Sequence, residues 1–227
     1  MIRIAIDGPA GAGKSTAAKQ LAQMLHINYM DTGATYRAVA YALLQQGIDL
    51  LDHSAVCQAL PGVQISVEYG PDGQRVKANG EDVTAFLRTP EISMGASAVA
   101  VIPEVRLKLV DIQRQTADNY DIVMDGRDIG TYVLPDAPVK FFITASSRER
   151  ALRRQKELAE KGVQTELDAL EQEIIARDRQ DAGREFAPLR QAEDAIVLDT
   201  THMTIPQVLD CLKKRVEEVF ADVLQDS

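Results

Sequence analysis

One short segment of the 227-residue chain constrains its fold more than any other: a glycine-rich loop between a strand pattern and a helix pattern. The loop fits the spacing G-x-x-x-x-G-K-[ST] and consists of Gly8, Pro9, Ala10, Gly11, Ala12, Gly13, Lys14 and Ser15, followed by Thr16. Alternating isoleucines from Ile2 to Ile6 lead to Asp7 and precede the loop. Behind it, apolar residues repeat on one helical face from Ala18 to Leu25. This order is typical of the P-loop, a strand–loop–helix unit.

Each residue type in this loop suits the binding of an anion. Glycines allow tight turns and let the backbone approach a phosphate closely. The backbone N–H groups and the positive end of the following helix then attract it. Lys14 can reach the β- and γ-phosphates, and the Ser15 hydroxyl can ligate Mg²⁺. The loop therefore predicts a nucleoside triphosphate site, with a chance glycine-rich turn as the alternative, but it does not define a reaction.

The composition restricts the remaining classes of protein. Asp and Glu number 34 against 25 Lys and Arg, and the resulting net charge of −9 disfavours non-specific binding of nucleic acid. Cys57 and Cys211 lack C-x-x-C spacing, so we expect free, buried thiols in a reducing compartment. No apolar run approaches the roughly 18 residues that span a bilayer. Because a strand pattern begins at Ile2, we expect no signal peptide and a cytoplasmic protein with no membrane partner.

Short apolar strands alternate with helices along most of the chain. The further predicted strands are Ile27–Asp31, Asp121–Asp125, Val139–Thr144 and Ile196–Asp199. The further predicted helices run from about Thr35 to Gln46, from Pro103, from Ser147 to about Lys161, from an N-terminal box at Thr165 and Asp168 to about Arg179, and from Pro206. This alternation predicts an α/β fold with a five-stranded parallel sheet covered by helices on both faces.

One segment, residues 63–83, breaks the alternation. Its apolar residues repeat with period two, and turn residues lie at Pro71-Asp72-Gly73 and Asn79-Gly80. Such a pattern is typical of antiparallel hairpins. The sequence therefore predicts a small β insertion in the α/β core.

Two segments rich in charge, Asp31–Arg37 and Asp125–Gly130, follow predicted strands. Ligands bind beyond the carboxyl ends of the strands in open α/β sheets. For Asp125 we predict contact with a Mg²⁺-bound water or with Lys14, and a turn-capping carboxylate is the alternative. Glycines near Arg37 and Arg127 favour a tight binding site over plain surface charge.

Two further charged segments lie on predicted helices. One carries Arg148, Arg150, Arg153 and Arg154, and the other carries Arg177, Asp181 and Arg184. Spacings of four and three residues place the second set on one face if it is helical. A solvated, salt-bridged surface is the alternative for both sets.

Long stretches of the chain resemble bacterial cytidylate kinases of the nucleoside monophosphate kinase group. The matching segments are IDGPAGAGKST, MDTGATYR, MDGRDIGTYVLPDAPVKFFITAS, RALRR and RDRQDAGREFAPL, between Ile6 and Leu189. The β insertion also fits this family, whose monophosphate-binding region is enlarged there. Thr32 stands where some members carry Ser, and both offer a hydroxyl. The resemblance implies transfer of a phosphoryl group from ATP, with Mg²⁺, to CMP or dCMP in pyrimidine nucleotide metabolism.

The resemblance also implies roles for individual residues. The catalytic residues would be Lys14, Asp125, Arg127 and Arg184, with Ser15 and Asp125 at the Mg²⁺ ion. ATP would be bound by residues 8–16 and by Arg150, Arg153 and Arg154 of a lid helix. CMP would be bound by Thr32, by Arg37, Arg127 and Arg184 near its phosphate, by Arg177 and Asp181 at its ribose, and by Ser97, Arg106 and Asp128 at its base. Cytosine chemistry agrees, because N4 donates to a carboxylate while N3 and O2 accept from Arg and Ser.

The expected organisation is a single P-loop kinase domain over residues 1–227, monomeric, with a monophosphate-binding β insertion at 62–92 and a lid at 148–164. Other functions remain open on the residues alone. A small P-loop kinase for uridylate, adenylate or a non-nucleotide acid is disfavoured by Asp128, Arg106 and Ser97. A nucleotide-dependent switch or binding module without a phosphoryl acceptor is disfavoured by the many arginines and by the lack of an Asn-Lys-x-Asp signature.

Overall fold

The computed structural model describes residues 1–160 and 162–224. The strands are β1 (Arg3–Asp7), β2 (Asn28–Asp31), β3 (Ile65–Gly70), β4 (Gly73–Ala78), β5 (Glu81–Asp82), β6 (Ile122–Asp125), β7 (Val139–Thr144) and β8 (Ile196–Asp199). The helices are α1 (Lys14–Met24), α2 (Thr32–Gln45), α3 (His53–Ala59), α4 (Pro90–Val99), α5 (Pro103–Asn119), α6 (Ser147–Glu160), α7 (Leu167–Ala182), α8 (Ile205–Val219) and α9 (Ala221–Leu224). Among the described residues, no helix is both long and apolar enough to span a bilayer.

The predicted fold class is confirmed. A five-stranded sheet has the order β2-β6-β1-β7-β8, and a separate three-stranded sheet has the order β3-β4-β5. All four residues of β6 are buried, as expected for a strand covered on both faces of a parallel sheet.

The chain divides into two compact units. The P-loop unit consists of Ile2–His26 and the described residues from Val123 onwards, and the insertion unit consists of Met1 and Ile27–Ile122. In the P-loop unit, β7 pairs in parallel with β1 on one side and with β8 on the other. Helix α8 packs against α1 and β7 through a face on which Val208, Leu212 and Val216 are buried.

In the insertion unit, helices α2 and α5 share an apolar core with the hairpin of β3 and β4. The predicted antiparallel hairpins are confirmed, with Gly70 opposite Gly73 at the first turn. At the second turn, Asn79 has φ 51° and Gly80 has φ 88°. Two successive positive φ angles are what a tight two-residue hairpin turn requires, and Asn-Gly adopts them readily.

Two predicted helix starts differ from the structure, and one predicted helix end lies outside the described residues. Helix α2 begins at Thr32 instead of Thr35, because the Asp31 carboxylate accepts from the Ala34 N–H and caps it. Helix α7 begins after Glu166, so the predicted box at Thr165 and Asp168 is wrong; Asp168 instead pairs with an arginine of α6. The predicted helix end at Lys161 lies outside the described residues, as do that residue of the predicted lid 148–164 and the end of the predicted domain 1–227.

The prediction of two free, buried thiols is wrong in part. Both cysteines are free, but Cys57 is half-buried and Cys211 is exposed. Cys211 lies on α8 about 100° around the helix axis from the buried Leu212, at the exposed edge of the face that packs on the core.

Candidate active site

The loop between β1 and α1 has the backbone geometry of an anion cradle. Gly8, Gly11 and Gly13 all have positive φ, at 143°, 75° and 89°. A Cβ on Gly8 would lie 1.9 Å from the backbone oxygen of Ile143 in β7, so a glycine is required there. The loop thus lies directly against the sheet, and the N-terminus of α1 follows it immediately.

Lys14 is the first residue of α1 and is buried. Its Nζ donates to the Pro9 carbonyl at 2.7 Å, across the loop. Burial and the positive charge of Arg127 lower the pKa of Lys14 to about 7, although the carboxylates of Asp125 and Asp7 act in the opposite direction. A lysine held in this way gains most from the arrival of an anion, which restores its full charge.

Ser15 and Asp125 are brought together. The Ser15 hydroxyl donates to Asp125 Oδ2 at 2.8 Å, and Asp125 is buried at the end of β6. Neighbouring hydroxyl and carboxylate oxygens are ligands that Mg²⁺ prefers when phosphates complete its coordination. The pair therefore fits the predicted metal role, and Ser15 and the neighbouring Thr16 are both exposed.

The loop carbonyls are held by residues from other parts of the P-loop unit. Arg150 of α6 is buried and donates to the Ala10 carbonyl at 3.1 Å and to the Ala145 carbonyl at 2.9 Å. It also forms a two-pronged ion pair with Asp178 of α7, at 2.6 and 3.0 Å. Arg150 is therefore not a solvated surface arginine, and its predicted contact with ATP stays a prediction.

The other two arginines predicted to bind ATP differ from each other. Arg153 donates to the backbone oxygen of Thr200 at 2.6 Å, while the Thr200 hydroxyl donates to the Ala12 carbonyl of the loop at 3.1 Å. Arg154 is half exposed and pairs with Glu157 at 3.3 Å, which fits a solvated helix surface. Their roles toward ATP also stay predictions.

A cationic cluster forms around Asp181, which is buried on α7. Asp181 Oδ2 accepts from Arg127 Nε at 2.8 Å, and Oδ1 pairs with Arg184. Burial raises the pKa of the Asp181 carboxyl, but the charges of Arg127, Arg184 and Arg177 outweigh it and bring the pKa below its usual value. Arg184 lies beyond the end of α7, so the predicted single helical face holds only for Arg177 and Asp181.

Asp7, to which the sequence assigned no role, holds the segment after Arg127 and Asp128. Its two carboxylate oxygens accept from the backbone N–H groups of Ile129 at 2.8 Å and Gly130 at 2.7 Å. Burial is the main cause that raises the pKa of Asp7, to about 7. The only signal in the sequence is a carboxylate at the end of the strand that precedes the loop.

In the insertion unit, Arg37 is fixed by a carboxylate. Its Nη2 donates to Asp31 Oδ2 at 2.6 Å, and the two side chains are 21% and 18% exposed. Gly33, which lies between them in sequence, leaves the space for this contact, because a Cβ there would lie 3.1 Å from both Arg37 Nη1 and Asp31 Oδ1. The glycine near Arg37 thus has a packing reason.

Gln74 is a second residue that sequence reasoning missed. Its side chain bonds to both backbone groups of Asp31: Oε1 accepts from the N–H at 2.8 Å, and Nε2 donates to the carbonyl at 3.2 Å. Gln74 lies on β4, so the insertion hairpin contacts the end of β2 through this side chain. A glutamine in a strand of mixed polarity carries no signal that would have singled it out.

Two of the residues predicted to read cytosine, Ser97 and Arg106, lie in the insertion unit, and Asp128 lies in the P-loop unit. Arg106 is only 2% exposed, so it is not an ordinary surface charge. Its guanidinium lies 5.5 Å from the centre of the Tyr36 ring, and its Nη1 donates to the Ala100 carbonyl at 3.3 Å. Ser97 lies on α4 and Arg106 on α5, so two successive helices of one unit carry this pair.

Thr32, the remaining residue predicted to bind CMP, is buried at the start of α2. Its carbonyl accepts from the Thr35 hydroxyl at 2.7 Å, inside the first turn of the helix. Its predicted contact with the nucleotide stays a prediction.

The glycine-rich loop follows strand β1 directly, and helix α1 begins at Lys14 of the loop. This arrangement places the chain among the P-loop nucleotide-binding proteins. Comparison with known sequences narrows this class. A sequence model described as cytidylate kinase matches residues 4–218, and the chain belongs to the cytidylate kinase family.

Two bacterial relatives named cytidylate kinase are similar over nearly the whole chain. The one from Exiguobacterium sp. is 49% identical over 220 residues, which cover 97% of this chain and 98% of the relative. The one from Geobacillus sp. is 50% identical over 217 residues, which cover 96% and 97%. Among solved structures, an uncharacterized protein from Eubacterium ventriosum has a TM-score of 0.52 at 15% identity, over 96% of this chain and 99% of that one, and this likeness bears on the fold alone.

Proposed function

We propose that the chain transfers the γ-phosphoryl group of ATP to CMP or dCMP, which yields ADP and CDP or dCDP. Membership of the cytidylate kinase family supports this pair of substrates. The observation that carries the proposal is the cluster of Arg127, Asp181 and Arg184 in the P-loop unit. This cluster lies near the P-loop, because the positive charge of Arg127 lowers the pKa of Lys14. Hydrolysis of a nucleoside triphosphate can use one arginine beside the P-loop, whereas a second arginine on Asp181 offers a site for the phosphate of an acceptor.

The donor would be bound by the loop amides and by Lys14. Phosphoryl transfer depends on positioning and on neutralising charge more than on covalent chemistry of the protein. Lys14 would compensate the charge that develops on the transferred group. Arg150, Arg153 and Arg154 of the proposed lid, residues 148–164, would contact ATP as the helix closes and excludes water.

The acceptor needs no general base, because the CMP phosphate is already an anionic nucleophile. Arg37 and Arg127 would bind this phosphate, with Arg184 near the path of the transferred group. Each Asp181 oxygen already bonds to an arginine, but a carboxylate oxygen has a second lone pair that can accept from a ribose hydroxyl. Arg177 would share that role.

The base would be read by hydrogen-bonding groups of matching character. Asp128 would accept from the cytosine amine, while Ser97 and Arg106 would donate to N3 and O2. Thr32 would add a hydroxyl, and the β insertion, residues 62–92, would form part of the monophosphate-binding region. Ser15 and Asp125 would hold Mg²⁺, either directly or through water, and the ion would neutralise phosphate charge.

The test is ADP release with CMP, dCMP, UMP, AMP or no acceptor, at fixed MgATP. We expect CMP and dCMP to give the highest rates. Release that is no faster with CMP than without an acceptor would contradict the proposal, and slow hydrolysis at the same rate with every acceptor would favour a nucleotide switch. A cytoplasmic location and a monomeric state stay predictions from the sequence.

A further inference from the structure

The insertion hairpin is joined to β2 by the amide of Gln74. A primary amide can donate and accept at once, and here it does both toward a single residue, Asp31. It therefore replaces the backbone partner that a neighbouring strand would supply. The Asp31 peptide groups are held at the point where β2 ends and α2 begins.

The side chain of Asp31 carries this constraint to Arg37. Asp31 Oδ1 accepts from the Ala34 N–H at 3.1 Å, and Oδ2 accepts from Arg37 Nη2 at 2.6 Å. Both carboxylate oxygens are thus engaged, which restricts the orientation of the carboxylate and of the guanidinium bonded to it. Gly33 admits this close arrangement, since a Cβ there would crowd both groups.

We propose that Gln74 is a positioning residue that acts on Arg37 through Asp31. The proposal rests on the proposed function, in which Arg37 binds the acceptor phosphate. An arginine side chain loses much rotamer freedom when it binds a ligand, and one that is already ordered binds more tightly. The β insertion thereby contributes to phosphate binding through the side chain of one of its own strands.

The test compares Gln74→Met with Gln115→Met, which makes the same replacement at an exposed position of α5, outside the β insertion. Methionine keeps the length of glutamine and removes both hydrogen bonds. For Gln74→Met we expect KM for CMP to rise about five- to tenfold, as the loss of two neutral hydrogen bonds allows. KM for ATP and the inhibition constant of cytidine, which lacks the phosphate, should change less than twofold, and Gln115→Met should match the wild type.

Two results would overturn the proposal. Equal weakening of cytidine and CMP would assign Gln74 to the general stability of the hairpin, and an unchanged KM for CMP would leave it no role in binding. In the background of Arg37→Met, Gln74→Met should have no further effect on KM for CMP. A full additional effect there would mean that Gln74 does not act through Arg37.

The NMR signal of the Arg37 Nε–H tests the positioning role of Gln74 independently of the enzymatic activity. Gln74→Met should broaden or shift that signal, and Gln115→Met should not. If the wild-type chain fails to phosphorylate CMP, the proposed function is wrong, and this signal still decides whether Gln74 orders Arg37. An unperturbed signal in Gln74→Met would overturn the positioning role itself.

Discussion

Replacement of Gly8 by alanine should destabilise the fold much more than the same replacement at Gly13, further along the same loop. Both glycines have positive φ, 143° and 89°, so alanine is strained at either position. The surroundings differ. A Cβ on Gly8 would lie 1.9 Å from the Ile143 carbonyl oxygen, whereas the nearest atom to a Cβ on Gly13 is Arg153 Nη1 at 3.8 Å.

The difference between the two variants isolates the clash. An unfavourable backbone conformation costs about 1–3 kcal/mol in each. The Ile143 carbonyl belongs to β7, which is paired on both sides, so it cannot retreat without loosening the sheet. Overpacking of a well-packed interior adds about 1–3 kcal/mol or more. We therefore expect Gly8→Ala to lose about 2 kcal/mol more than Gly13→Ala.

Urea unfolding of the wild type and both variants, followed by circular dichroism, measures this difference. With a slope of about 2 kcal/mol/M, the midpoint of Gly8→Ala should lie about 1 M below that of Gly13→Ala. Equal midpoints for the two variants would refute the reasoning, because they would mean that the sheet accommodates the added methyl group at no cost.

Three further predictions concern charge. Lys14→Ala should lower kcat about 10²- to 10³-fold. Because the pKa of Lys14 is lowered to about 7, its side chain is mostly neutral at about pH 8 and should take up a proton when MgATP binds. Calorimetry in buffers of different ionisation enthalpy should detect this uptake for the wild type and not for the variant. Asp128→Asn should lower the ratio of kcat/KM for CMP over UMP, because an amide can donate to uracil O4; an unchanged ratio would instead make Asp128 a support for Arg127. The pKa of Asp7 rises from 3.8 unfolded to about 7 folded, so the folded state binds more protons at this carboxyl between these values. The contribution of Asp7 to the free energy of unfolding should therefore fall by about 4 kcal/mol as pH rises through that window. Urea unfolding of Asp7→Asn at several pH values should show a flatter dependence.

Much of the fold could be predicted because local patterns determine it. The apolar strands and the Asn79-Gly80 turn each carry their own signal within a few residues. The predicted start of α7 was wrong because Asp168 pairs with Arg148 of another helix. Capping patterns describe neighbours in sequence, and they cannot register a partner from another element.

In the candidate site too, some residues could be predicted from local sequence and others could not. The loop and its lysine were evident from spacing alone, and the predicted ligand roles of the arginines stay predictions. Asp7 and Gln74 were missed because they bond to backbone groups 122 and 43 residues away. Nearly every residue type carries the same backbone N–H and carbonyl groups, so the identities of two distant residues do not indicate such a contact.

Ion pairs connect helices α6 and α7. In the described part of α6, only Arg150 and Ala151 are buried, and Arg148 on its exposed side pairs with Asp168 and Glu171 of α7. Ions screen exposed pairs of this kind over about 8 Å at physiological salt and over shorter distances in concentrated salt. Amide hydrogen exchange in α6 should therefore accelerate as salt is added, while the apolar strands remain protected. Ionic strength thus affects how readily this pair of helices separates.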